Sequence, residues 1–170
     1  MRSVVLEGWA RMTVARWASA AAASAAAPAA TDQSAPAPAA IPAVAVLAAQ
    51  ETNWPGMVAE VTEFRRKGNT LTAKVRLRNT GSAMQEPDIQ YAEVYVMDAA
   101  AGKKYEVLMD EKGNYIAYLK QGWPKRWYDK LQPGQSVTLW MKFPAPPADV
   151  AAVTLQLPGM APFEDLAIQN

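Results

Sequence analysis

The sequence predicts an all-β fold, an antiparallel β-sandwich of seven or eight short strands between residues 53 and 170. Apolar and polar residues alternate in several runs of this region, as they do in strands with one buried face. Turn-forming residues separate the runs at intervals of roughly 10–15 residues, and no sustained helical period appears. A domain of this size can bury a hydrophobic core without disulfides.

Two runs have the clearest alternation. From Leu71 to Leu77, leucine, alanine and valine alternate with threonine, lysine and arginine. From Val137 to Phe143, apolar residues again occupy every second position. Because successive side chains of a strand point to opposite faces, we predict that these apolar residues lie in the core.

The other predicted strands are shorter. They are Val58–Phe64, Ile89–Met97, Lys104–Met109, Tyr115–Leu119, Val153–Leu157 and Phe163–Ile168. In Ile89–Met97 we expect Ala92, Val94 and Val96 on one face, and Tyr91, Glu93 and Tyr95 on the other. The stretch Lys120–Gln135 contains two glycines and two prolines and is predicted to be irregular.

The first 52 residues have a different composition. Basic residues followed by an alanine-rich stretch predict a signal peptide over residues 1–27, and hence a periplasmic or secreted protein. Residues 28–52 read as an Ala/Pro-rich linker, so the whole N-terminal segment is expected to be disordered or weakly helical. No stretch reaches about eighteen uninterrupted apolar residues, and we predict no membrane span.

Composition excludes several kinds of chemistry. The chain has no cysteine and no histidine, so Ser-His-Asp and Cys-His catalysis and thiolate zinc sites are impossible. We predict no enzymatic activity, no cofactor and no metal site. Asp110–Asn114 superficially resembles a calcium loop but lacks the alternating ligands, and we expect a turn there. The net charge of +1 argues against a nucleic-acid partner.

One segment combines aromatic and basic residues. Between Tyr118 and Lys130 the candidate binding residues are Tyr118, Trp123, Lys125, Arg126, Trp127 and Tyr128. Such a loop suits stacking on a ligand with cation–π support, and the partner would be an envelope protein, a peptide or a glycan. The alternative is that Trp123 and Trp127 pack over an edge of the sandwich and bind nothing.

A second candidate surface is the polar face of the strand around Leu71–Leu77. If the strand Val137–Phe143 pairs beside it, Trp140 and Lys142 share this face with Thr72, Lys74, Arg76 and Arg78. Stacking of a guanidinium on Trp140 would then be expected. The stripe either binds an anionic surface or is an ordinary solvated sheet face.

Several late motifs resemble a known group of proteins. They include Gly102-Lys103-Lys104-Tyr105, Leu131-Gln132-Pro133-Gly134, Phe143-Pro144-Ala145-Pro146-Pro147 and Leu157-Pro158-Gly159. Over about Val58–Ile168 the chain resembles bacterial exported immunoglobulin-like domains of unknown function, some found beside OmpA-type domains. The resemblance implies an immunoglobulin-like sandwich outside the cytoplasm and no activity. We therefore expect a non-enzymatic binding module of the cell envelope, or alternatively a structural accessory domain with no ligand of its own.

Overall fold

The computed structural model describes residues 45–120 and 123–170. The predicted signal peptide, residues 1–27, and residues 28–44 of the predicted linker lie outside the described residues. The described part consists of strands, loops and one short 3-10 turn, and its named strand pairs are antiparallel. The predicted all-β antiparallel fold is therefore confirmed.

The strands of the described part form two four-stranded sheets and one two-stranded sheet. The orders are β1-β2-β3-β8, β10-β9-β5-β6 and β4-β7. In chain order the strands are β1 (Ala48–Glu51), β2 (Met57–Lys67), β3 (Thr70–Asn79), β4 (Asp88–Gln90), β5 (Tyr95–Asp98), β6 (Lys103–Glu106), β7 (Arg126–Tyr128), β8 (Ser136–Pro144), β9 (Ala152–Gln156) and β10 (Phe163–Ala167).

The two larger sheets share one hydrophobic core. In β3 the four predicted inward residues are fully buried, and in β8 so are Leu139, Met141 and Phe143. Val96 of β5 and Leu155 of β9 belong to the same buried cluster. The alternation predicted for β3 and β8 is confirmed, and each such large side chain stabilises the fold by about 1.5–3 kcal/mol.

The predicted strand Ile89–Met97 is wrong as a single element. A 3-10 turn at Tyr91–Glu93 separates β4 from β5, and the two strands then pair in different sheets. Tyr91 is fully buried and Ala92 is exposed, which reverses the prediction at these two positions, whereas Val94 and Val96 are buried as predicted. The physical reason is that the turn interrupts the alternation of side chains between the two faces. The buried Tyr91 hydroxyl donates a hydrogen bond to the backbone carbonyl of Tyr118.

Two other predicted strands are shorter or absent. The predicted strand Lys104–Met109 ends at Glu106, and the Leu108 N–H turns to the Lys142 carbonyl, 2.8 Å away. Tyr115–Leu119 forms only isolated bridges, Met109 to Tyr115 and Ala117 to Met141. This segment lies beside β8, where the Tyr118 N–H donates to the Trp140 carbonyl over 2.7 Å.

Two observed strands lie where none was predicted. β1 is formed by Ala48–Glu51, which the sequence placed in the linker, and it pairs with β2 through Ala48 and Val61. β7 lies within the stretch expected to be irregular and pairs with β4. Both strands have only three or four residues, so local alternation is too short to indicate them.

The strand order places the strand around Val137–Phe143 beside that around Leu71–Leu77, the pairing that the sequence analysis considered. β2, β3 and β8 are neighbours in one sheet, and β9, β5 and β6 are neighbours in the other. Strands A, B and E, and strands F, C and C′, have the same neighbours in immunoglobulin domains. The immunoglobulin-like subtype itself stays a prediction.

Candidate functional site

The small sheet β4-β7 divides the predicted binding residues between two environments. Asp88 pairs with Tyr128, Ile89 with Trp127 and Gln90 with Arg126. Because alternate side chains point to opposite faces, Ile89 and Trp127 both lie in the core at 0% exposure. Arg126 and Tyr128 are half-buried on the other face.

The two tryptophans of the loop therefore differ. Trp127 is among the largest fully buried side chains, and its indole N–H has no hydrogen-bond partner among the described residues. It was a candidate binding residue, but a completely buried ring cannot contact a ligand, so its role is packing. Trp123 is 39% exposed and lies at the start of the turn that leads into β7. Of the two, Trp123 alone is accessible.

Trp123, Arg126 and Tyr128 form a surface that we call the aromatic platform. The Arg126 guanidinium lies 4.2 Å from the centroid of the Trp123 ring and 6.0 Å from that of Tyr128. The two rings are 6.2 Å apart and tilted by 59°. Cation–π contacts of this kind hold the rings in a defined orientation. The Arg126 guanidinium thus lies against both rings of the platform.

Carboxylates from β4 and the residues before it hold the platform from one side. Arg126 forms an ion pair of 2.7 Å with Asp88, and the Tyr128 hydroxyl donates a hydrogen bond to Glu86. Glu86 also pairs with Lys130 over 2.9 Å. Sequence reasoning missed Glu86 and Asp88, because they lie about forty residues away from the loop in the chain.

The basic residues of the loop are mostly neutralised. Besides Arg126 and Lys130, Lys120 pairs with Asp129 over 2.7 Å. Lys125 is exposed and forms no ion pair with any residue in the described part of the chain. The loop therefore presents aromatic surface with little net charge, which disfavours a ligand held chiefly by its negative charge.

Titration properties follow from these contacts. The hydrogen bond from Tyr128, together with Lys130, lowers the pKa of Glu86 below its usual value. The same hydrogen bond to the Glu86 carboxylate raises the pKa of Tyr128, and Glu86 raises that of Lys130. The hydrogen bond from Lys120 lowers the pKa of Asp129. All four groups keep their ordinary charge states at neutral pH.

Tyr118 is positioned by its backbone. Its N–H donates to Trp140 and its carbonyl accepts from the Tyr91 hydroxyl, while its own ring is 38% exposed. Burial raises the pKa of Tyr91, so this hydroxyl remains a donor over the whole ordinary pH range. Tyr118 is accessible on the segment beside β8.

Comparison with known proteins gives no identification: no protein-family model, curated protein or solved structure matches this chain. The resemblance to bacterial exported immunoglobulin-like domains therefore stays a prediction. Function has to be argued from the chemistry of the surface itself.

The second candidate surface pairs as expected but has different contacts. β3 lies beside β8, with Lys74 opposite Trp140 and Thr72 opposite Lys142. The expected stacking of a guanidinium on Trp140 is wrong. Arg76 and Arg78 turn instead to Glu60 of β2, at 2.6 Å and 3.3 Å, and Lys74 pairs with Glu63 at 2.6 Å. Three of the four cations of this surface are thus paired with carboxylates of β2, and Lys142 forms no ion pair within the described part of the chain.

The acidic turn at Asp110 is satisfied by its own backbone. Its carboxylate accepts hydrogen bonds from the N–H groups of Lys112 and Asn114 and from the Asn114 amide, all within 3.0 Å. The contacts with Asn114 lower the pKa of Asp110. In residues 45–120 and 123–170 no group of three carboxylates could hold a metal ion. Nor is any helix of that part long and apolar enough to cross a membrane.

Proposed function

We propose that this chain is a non-enzymatic binding module of the bacterial cell envelope, and that its ligand stacks on the aromatic platform. The observation that carries the proposal is the exposure of Trp123 in contact with Arg126 and Tyr128. An exposed indole held in place by cation–π contact loses little conformational freedom on binding, which favours recognition. Tyr118 and Lys125 are the neighbouring candidates.

The local charge balance favours a neutral ligand. Lys120, Arg126 and Lys130 are each paired with a carboxylate, so little unbalanced positive charge is available to an anion. The apolar face of a sugar ring or of a peptide side chain suits such a surface. Among these we favour a neutral glycan of the envelope, because flat aromatic faces complement sugar rings without requiring charge.

Export is the second half of the proposal. It is supported by Arg2, Arg11 and Arg16 ahead of the alanine-rich stretch that ends near Ala27. Mass spectrometry of the protein recovered from a bacterial host checks it. We expect a mature N-terminus close to residue 28, and an intact Met1 on protein in the periplasmic fraction would contradict the predicted cleavage.

The ligand is sought by pull-down from envelope extract and on an array of neutral glycans, with W123A beside the wild-type chain. Stacking of one ring on an aromatic side chain contributes about 1–3 kcal/mol, so W123A is expected to weaken binding by roughly tenfold or more. Because Trp123 is an exposed surface residue, the free energy of unfolding should change by less than about 0.5 kcal/mol.

Y95A is the matched control. Tyr95 lies on β5, in a different sheet from the platform residues Arg126 and Tyr128. Like Trp123, its ring has a cation above it, since the Lys104 ammonium is 4.3 Å from the ring centroid. Y95A should bind as the wild type does. Equal binding by W123A and the wild-type chain would exclude the platform as the binding surface.

The alternative function is a structural accessory domain without a ligand. It is favoured by the complete burial of Trp127, since one of the two tryptophans of the loop serves packing. W127A should lose about 3–5 kcal/mol of stability on either hypothesis. The absence of any captured ligand, together with a fully folded wild-type chain, would favour this alternative.

A further inference from the structure

The outer edge of β6 is open. β6 pairs on one side with β5, with Tyr95 opposite Glu106 and Val96 opposite Tyr105. On its other side no backbone hydrogen bond to Lys103–Glu106 exists within the described part of the chain. A strand edge of this kind presents unpaired N–H and C=O groups that can bond another strand.

The edge of the first large sheet at β8 is covered by backbone from the segment that follows β6. Beside β8 lie Leu108, Ile116 and Tyr118, which exchange backbone hydrogen bonds with Trp140 and Lys142. At β1 and β10, the outer strands at the other ends of the two sheets, the Gln50 side-chain amide donates to the carbonyl of Pro162, just before β10, over 3.1 Å.

A groove of about 560 Å³ runs along this edge. β6 forms one wall, and the residues Val107–Met109 with Pro144 and Ala145 form the rest. Met109 is 52% exposed, the largest value among the exposed large hydrophobic residues of the described part. The groove therefore combines free backbone with apolar surface, which is what an added strand requires.

We propose that β6 pairs with β6 of a second copy of this chain, antiparallel and about a twofold axis at Tyr105. In this register Lys104 lies opposite Glu106 of the second copy, and Glu106 opposite its Lys104. Both side chains are on the outward face, 43% and 69% exposed, and form an ion pair of 3.2 Å within one copy, while Tyr105 is on the buried face. The pairing would join the sheet β10-β9-β5-β6 of one copy to the same sheet of the second copy, which gives one sheet of eight strands.

Charge selects this register and this occupant. A twofold axis perpendicular to the sheet leaves each side chain on the same face of the sheet. Antiparallel self-pairing therefore places even-numbered residues opposite even-numbered ones, and odd-numbered opposite odd-numbered. An axis at Lys104 would place like charges opposite each other, whereas the axis at Tyr105 creates two opposite-charge pairs. Edge lysines ordinarily discourage pairing, but here each meets a carboxylate. The net charge of +1 leaves little repulsion between copies.

Sedimentation of the full chain over a range of concentrations tests the proposal through charge reversal. The wild type should dimerise reversibly. E106K and K104E should each weaken the dimer by roughly tenfold or more, because each converts two attractive cross-strand pairs into two repulsive ones. The double variant K104E/E106K should regain the wild-type dissociation constant to within about threefold. An equimolar mixture of the two single variants should form a heterodimer.

E164K is the matched control, since Glu164 is an exposed acid on β10, at the opposite edge of the same sheet. It should dimerise as the wild type does. A wild-type chain that remains monomeric at every concentration would overturn the proposal. So would a dimer insensitive to E106K, or a double variant that stays monomeric although its circular dichroism is native. None of these variants alters Trp123, so the result is independent of the proposed ligand.

Discussion

At the scale of single residues, the Glu60 carboxylate organises the polar face of the first sheet. The residue is only 7% exposed, and one of its oxygens lies 2.7 Å from the Arg76 Nε and 2.6 Å from a second nitrogen of that guanidinium. Its other oxygen is 3.3 Å from Arg78. A largely buried carboxylate is tolerated only with such partners, because desolvation would otherwise disfavour its charge.

Replacement of this group gives the first prediction. E60Q keeps the shape but removes the charge, so the Arg76 guanidinium loses its counter-ion at a site that is three-quarters buried. We expect a loss of about 2 kcal/mol in the free energy of unfolding, measured by urea denaturation. E63Q is the control, since the pair of Glu63 with Lys74 is more exposed and should contribute less than about 1 kcal/mol. Equal losses would contradict the role of burial.

The acid side of the pH scale provides the second prediction. The folded-state pKa of Glu86 lies below its usual 4.5. Its contribution to stability is therefore present above the unfolded value and is lost as the pH falls through the folded one. Contacts between the residues around Glu86 and β7 should weaken as the pH falls below about 4.5. NMR titration of the carboxyl carbon and amide exchange in β7 measure this, and E86Q should remove the contribution of Glu86 to the acid dependence.

At the scale of elements, the turn between β1 and β2 meets the segment after β3 at two glycines. Gly56 has a φ of +74°, and a Cβ at this position would lie 2.6 Å from the Cα of Gly81. The Gly56 carbonyl also accepts hydrogen bonds from the Thr80 N–H and hydroxyl, each of 2.8 Å. This contact joins the start of β2 to the end of β3, its partner strand.

The third prediction separates crowding from backbone conformation. In G56A the new side chain is strained both by the left-handed backbone conformation and by a clash with the Gly81 backbone. In G68A only the left-handed conformation, φ +57°, is unfavourable, because the space around the Cβ is open. We expect G68A to lose about 1–2 kcal/mol in thermal or urea unfolding, and G56A to lose distinctly more. Similar losses for both variants would mean that the Gly81 segment moves away at little cost.

Elements also differ in how well the sequence predicts them. β3 and β8 have nine or ten residues with unbroken alternation, and both were predicted with their buried faces. β4, β7 and the turn between β4 and β5 span three residues each, so tertiary contacts decide their conformation. The candidate site lies on these short elements. For this reason its aromatic members could be predicted, but their orientations could not.

At the scale of the whole molecule, the sheets share their core and should unfold together. Phe64 and Leu139 of one sheet belong to the same buried cluster as Val96 and Leu155 of the other, and Trp127 of the small sheet joins it. Loss of either face would expose the other to water. The folded part has the size at which one cooperative transition is the rule.

The fourth prediction tests this cooperativity. Far-UV circular dichroism reports the sheets as a whole, and tryptophan fluorescence reports all six tryptophans, among them Trp127 in the core and Trp140 on β8. Both signals should give the same urea midpoint within error, because the large sheets and β4-β7 have no separate cores. In a variant that keeps Trp127 and has phenylalanine at the other five tryptophan positions, a fluorescence transition earlier than that of the circular dichroism would show that β4-β7 melts by itself.

The sequence by itself determined the all-β class, the buried faces of β3 and β8, and the absence of thiol and imidazole chemistry. These properties depend on composition and on residues one or two positions apart. Because successive side chains of a strand point to opposite faces, such a local pattern is enough to predict which of them are buried. Only the tertiary structure decided that Trp127 is core and Trp123 surface, that Glu86 and Asp88 hold the platform, and that β6 has a free edge. Each of these depends on which strands, distant in the sequence, pair or pack together. The free energy of that pairing is distributed over many residues, so no local pattern reveals it.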